Sequence, residues 1–186
     1  MKIIRILGFA AALLSPLALA APAHVHGAAK LDISVDGDKL TIAMEMPLDS
    51  TLGFERPART DTEKLAFANA MTTLKNAAEI FTPSAAAACR VASVEVSDPF
   101  PGGKAKADGH ADIDADYIFR CAKPAALNSV TTSLFKQFKR LHKIDVQRAT
   151  PNGQGKASMT PEQPSVSWYS CCCRHMRECS TICGSA

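Results

Sequence analysis

Residues 27–46 read GAAKLDISVDGDKLTIAMEM, and this stretch decides the fold. Ala29, Leu31, Ile33 and Val35 fall on one face of an extended chain, with Lys30, Asp32 and Ser34 opposite. Asp36-Gly37-Asp38 has turn chemistry, after which Leu40, Ile42, Met44 and Met46 repeat the alternation. Successive side chains of a strand point to opposite faces, so the pattern predicts a β-hairpin with one buried face.

Outward from the hairpin, residues 47–57 are irregular and carry Gly53-Phe54-Glu55-Arg56-Pro57. Thr60-Asp61-Thr62-Glu63 has the spacing of a capping box and starts a helix. Its apolar stripe is Leu65, Phe67, Ala70, Met71, Leu74, Ala77 and Ala78, with Pro83 marking the break. Residues 87–96 favour a strand, and residues 99–109 (PFPGGKAKADG) form a loop by composition. The sharpest alternation follows. Ala111, Ile113, Ala115, Tyr117, Phe119 and Cys121 face one way, and His110, Asp112, Asp114 and Asp116 the other. Pro124 suits a first helical turn, and Leu127, Val130, Leu134, Phe135, Phe138 and Leu141 have helical spacing. Residues 144–149 and 155–159 flank Pro151-Asn152-Gly153 as a second hairpin. The expected fold is α+β, a mainly antiparallel sheet with two covering helices in the order ββαβ-loop-βαββ.

At 186 residues, 47% hydrophobic and 21% charged, the chain has the composition of a single folded domain and is too apolar for a disordered one. A formal charge of +3 is too small for a nucleic-acid binder. Residues 1–20 read as a secretory signal. Lys2 and Arg5 form its basic head, residues 6–14 its apolar stretch, and Ala18-Leu19-Ala20 the cleavage site. Its removal leaves a charge of +1. No later segment is long and apolar enough to remain in a bilayer, so the expectation is an exported protein without stable membrane insertion. The domain is expected over residues 21–165, with an irregular Cys-rich tail over residues 166–186. In an oxidising compartment Cys89 and Cys121 are expected to pair as a disulfide, the alternative being two buried thiols.

Three features could carry chemistry. His24-Val25-His26 places two imidazoles on one face of an extended chain, and His110 with Asp112 has the same spacing. If the two segments lie side by side, His24, His26, His110 and Asp112 supply a tetrahedral set of nitrogen and oxygen ligands suited to zinc. Asp114 and Asp116 extend that acidic face, as a cation site or as a solvated face opposing aggregation. His142 is placed to bind the last carbonyls of the second helix. The tail residues Cys171, Cys172, Cys173, Cys179 and Cys183 are odd in number, and three consecutive cysteines do not readily converge on one ion. Nucleophile elbow, H-E-x-x-H helix and phosphate-cradling loop are all missing from the sequence, so the expectation is a non-catalytic protein.

Several stretches, in this order, resemble the ZrgA-like family of periplasmic zinc-uptake proteins of Gram-negative bacteria. They are His24-Val25-His26-Gly27, Gly53-Phe54-Glu55 before Pro57, Cys89 behind an Ala-rich run, His110-Ala111-Asp112, Tyr117-Ile118-Phe119-Arg120-Cys121-Ala122, Leu134-Phe135-Lys136-Gln137-Phe138 and Thr150-Pro151-Asn152-Gly153-Gln154. The resemblance covers about residues 24–165. It implies a zinc-binding scavenger or chaperone in the periplasm, working beside an ABC-type importer, with the N-terminal histidines and His110 as ligands. Two features depart from the family. Many members carry a His-rich insertion before the strand of His110, whereas residues 99–109 contain no His, and members commonly have His where this chain has Arg56. The alternatives are an envelope protein-interaction module without a physiological metal, and copper or nickel binding through the same histidines.

Overall fold

The computed structural model describes residues 26–104 and 111–168. Its opening hairpin forms as the alternation dictates: β1 (Ala28–Asp36) pairs antiparallel with β2 (Lys39–Pro47), Leu31 opposite Met44 and Ile33 opposite Ile42. The chain continues through α1 (Leu48–Leu52), α2 (Asp61–Lys75), α3 (Ala77–Ile80), β3 (Phe81–Pro83) and β4 (Cys89–Val96). After β5 (Asp112–Cys121) come β6 (Ser129–Thr132), α4 (Leu134–Gln137), β7 (Lys143–Thr150), β8 (Gly153–Met159) and β9 (Ser165–Ser167). Six strands form one sheet in the order β4-β5-β2-β1-β7-β8, and β3-β6-β9 form a second, smaller sheet. Every pairing is antiparallel except that of β1 with β7.

One face of the large sheet is the floor of the core. Leu31, Ile33, Leu40, Ile42, Met46, Ile113, Tyr117, Ile144 and Val146 are buried there, each apolar side chain of this size contributing about 1.5–3 kcal/mol. The helical pieces and the small sheet cover it. Tyr117 packs edge-on against Phe81 at 5.0 Å, and its hydroxyl donates to the carbonyl of Leu74 at 3.0 Å. Burial pushes the Tyr117 phenol far above its ordinary pKa, so it stays a neutral donor. The opposite face carries Lys30, Asp32, Ser34, Asp114, Asp116, Asp145 and Gln147, all exposed.

The capping box is present: the Thr60 side chain accepts from the Glu63 N–H, and the Glu63 carboxylate accepts from the Thr60 N–H. That carboxylate also takes both terminal nitrogens of Arg56, at 2.9 and 2.7 Å, while Arg56 lies over the Phe54 ring. Of the expected stripe, Ala70 and Leu74 are buried, but Leu65 is exposed, because α2 meets the core through its C-terminal half.

The expectation of two covering helices needs correction. Residues 127–141 do not form a second long helix; they hold β6 and the single turn α4, after a 3₁₀ turn at Pro124–Ala126. Val130, Thr131 and Thr132 are β-branched and extend readily, and β6 uses them to pair with both β3 and β9. Leu127, Val130, Leu134, Phe135, Phe138 and Leu141 are all buried nonetheless, so the stripe marked burial correctly and period wrongly. Packing continues through Val166 and Trp168, whose indole N–H donates to the Leu127 carbonyl. Residues 169–186, with the Cys-rich run, lie outside the described residues.

Cys89 and Cys121 are directly opposed on β4 and β5 and form a disulfide. Closing a 32-residue separation constrains the unfolded chain. Replacing both cysteines by Ala should therefore lower unfolding free energy by roughly 3–4 kcal/mol in urea titrations, with the native near-UV spectrum kept.

Arg56 and the backbone N–H groups of Arg59 and Thr60 hold the Glu63 carboxylate down at about 2. A depressed carboxylate stabilises the fold above its unfolded value and ceases to do so as pH falls through the folded one. Wild-type stability should accordingly drop between about pH 4.5 and pH 2, and Glu63→Gln should flatten that part of the acid-unfolding curve. A wild-type slope unchanged in the variant would show that the pair is not a pH-linked support.

Candidate functional site

The polar residues that the fold draws together lie where β2 leaves the sheet. Pro47 ends the strand and α1 follows at once, lying across the beginnings of β1 and β5. On one side the Leu48 N–H donates to the Ala111 carbonyl at 2.8 Å. On the other, the Gly27 N–H donates to Ser50 Oγ at 3.1 Å, and that hydroxyl donates to the Ala28 carbonyl at 3.0 Å. Both bonds make Ser50, wholly buried, the rivet between α1 and the start of β1.

Asp49, beside it, is the hub. Its Oδ2 lies 2.9 Å from His26 Nδ1, its Oδ1 accepts from Arg140 Nη2 at 3.2 Å, and its carbonyl accepts from Arg140 Nε at 2.9 Å. The Asp49 side chain is 15% exposed and the His26 side chain 74%. Arg140 reaches this position because α1 ends at Gly53 in the left-handed region, φ +84°, where a Cβ would meet the guanidinium at 3.1 Å. Gly27 has φ +75°, and its carbonyl accepts from the N–H groups of His142 and Lys143 at 2.8 and 3.2 Å.

This geometry fixes what His26 can do. A carboxylate only accepts, so in the neutral imidazole the proton sits on Nδ1 and the lone pair on Nε2. Nε2 is then the ring's free donor atom, on a largely exposed side chain. A histidine that binds a metal through one nitrogen while its other N–H is held by a carboxylate has this same arrangement.

Of the four ligands expected from sequence, His24 and His110 lie outside the described residues. His26 and Asp112 are both at this end of the sheet: Pro47 pairs with Asp112, and Ala28 with Lys143. The strands they lead into, β1 and β5, are not neighbours, however. β2 runs between β1 and β5, because its hairpin takes one edge and the long strand takes the other. Among the described residues no group of three or more His, Cys, Asp or Glu side chains converges in the manner of a metal site.

The outer acidic face is arranged differently. Asp114 stands opposite Glu45, and Asp116 opposite Glu95. With Lys30 and Asp32 these residues line a depression of about 220 Å³, except for Glu95. Lys30 bonds Glu45 at 2.7 Å. Asp145, next along, is held below the usual carboxylate range by Lys143 and by the Ser158 hydroxyl. His142 does not cap a helix, since none ends there; it precedes β7 beside Gly27. Arg56 is engaged by Glu63.

Sequence reasoning missed Asp49 and Arg140. Asp49 sits in an irregular run with no periodicity, and Arg140 follows it by 91 positions, so no spacing rule joins them. Gly53 and Ser50 were equally silent, as their roles exist only once β1, α1 and the start of β7 are packed.

Among the described residues no helix is long and apolar enough to cross a membrane. The comparison with curated proteins gives no match. A family model described as ZrgA family zinc uptake protein matches residues 23–168, which takes in the sheet, the disulfide and the His26–Asp49 pair. The chain belongs to the ZrgA family of zinc uptake proteins.

Proposed function

We propose that this protein is a non-catalytic zinc-binding protein of the periplasm that captures zinc for an import system of the envelope, as scavenger or chaperone. Export is supported by the signal-like residues 1–20 and by the Cys89–Cys121 disulfide, which persists only outside a reducing compartment. Zinc enters as cargo, and the observation that carries the reading is the His26–Asp49 pair. Asp49 orients the ring and sets its tautomer, leaving Nε2 to take the ion. Arg140 positions Asp49 and balances its charge. His24, two residues earlier on the same chain, and His110, which directly precedes Ala111, are the further nitrogen donors of this reading, with Asp112 as the carboxylate. Imidazoles discriminate poorly among zinc, copper and nickel, so the choice of zinc rests on the family.

Capture by neutral imidazole competes with protonation, and free histidine titrates near pH 6.5. Calorimetric titration with zinc should therefore give markedly weaker binding at about pH 5.5 than at about pH 7.5, the two sides of that value. Equal affinity at both would contradict imidazole capture. Asp49→Ala should weaken zinc binding about 10–100-fold by freeing the ring it orients, with the thermal melt little changed. His26→Ala should weaken it at least as much, and unaltered binding in both variants would place zinc elsewhere.

A further inference from the structure

We infer that His142 is a second imidazole donor for the ion held by His26, so that zinc is bridged between the first strand and the penultimate pair of strands. This rests on the capture site proposed above, with His26 as its anchor, and gives one of the ion's tetrahedral positions to a ligand that the spacing of the sequence does not suggest.

The pairing of β1 with β7 sets Ala28 opposite Lys143, and the two chains are already in contact one residue earlier, where the His142 N–H donates to the Gly27 carbonyl. His142 thus faces the residue that directly follows His26. The His142 ring packs against Gly27 itself. A Cβ there would lie 3.1 Å from His142 Cδ2, so any larger residue would press on that ring. With glycine, the His142 ring lies against bare backbone at the residue that follows His26. His142 is exposed, which leaves its side-chain torsions free to turn a nitrogen toward an ion held on Nε2 of the His26 ring that Asp49 orients, at the usual zinc–nitrogen distance of about 2.0–2.1 Å.

The neighbouring cations are engaged elsewhere. Arg140 makes two bonds to Asp49, and Lys143 bonds Asp145 at 2.8 Å on the outer face. The His142 ring makes no hydrogen bond to another described residue. Two imidazoles leave two positions of a tetrahedral zinc for water or other donors.

The test is zinc titration of the full chain at about pH 7.5, where free imidazole is neutral, on wild type, His142→Ala and His26→Ala, with ring ¹⁵N NMR of both histidines in the wild type. Loss of one donor should weaken binding at least about 10-fold in each single variant, comparable to the effect of disturbing a ligand's support. In the wild type one ring nitrogen of His142 should shift on zinc addition together with one of His26, a readout that does not depend on how the variants fold. Wild-type affinity in His142→Ala, with its ring resonances unmoved and His26→Ala impaired, would overturn this inference and leave the His26 site standing. Unmoved resonances at both histidines, with full affinity in both variants, would overturn the capture site itself.

Discussion

The parallel pairing of β1 with β7 is the constraint on which the rest of the structure depends. All other neighbours in the large sheet are antiparallel, and the two hairpins β1-β2 and β7-β8 are each closed by a short local turn. Joining them requires the chain to travel from the first strand of the domain to its last third before the contact is made. The loop entropy of that closure is met by seven paired residues between Ala28 and Ser34 and by the buried row of Leu31, Ile33, Ile144 and Val146 beneath them. Without this pairing the C-terminal hairpin has no sheet, and neither Arg140 nor His142 has a reason to be near His26.

The pairing also has a chemical consequence at its open end. Gly27, just before β1, spends its carbonyl on the N–H groups of His142 and Lys143 and its own N–H on Ser50. The chain is thereby held from both sides at the residue next to His26. An exposed histidine outside a strand or helix would ordinarily be solvated and unoriented. Here the backbone beside it is fixed, its ring is aimed by Asp49, and Asp49 is fixed in turn by Arg140. The order of dependence runs from sheet to arginine to carboxylate to imidazole.

Much of the fold was legible because burial on one face leaves a periodic trace. The alternation of residues 28–47 and 112–121 could be satisfied by strands alone, and a one-residue slip would have turned Leu31 or Tyr117 to solvent. The capping box at Thr60 and Glu63 was equally local, its two bonds lying within four residues. Residues 127–141 were misread for a complementary reason. Leu127, Val130, Leu134 and Phe138 are spaced as a helix requires, but a strand followed by one helical turn buries the same positions. Spacing could not decide between them. The available partners, β3 and β9, did.

By itself the sequence determined which segments extend, where the long helix begins and which faces are apolar. These follow from forces acting over a few residues: the pleat, the helical turn, the capping hydrogen bond. Tertiary structure alone decided that β2 would separate β1 from β5, that Asp49 would meet His26, and that Arg140 and His142 would close around Gly27. Those outcomes turn on which strand edges find each other, a choice among distant stretches governed by loop closure and shared burial, and no local pattern records it.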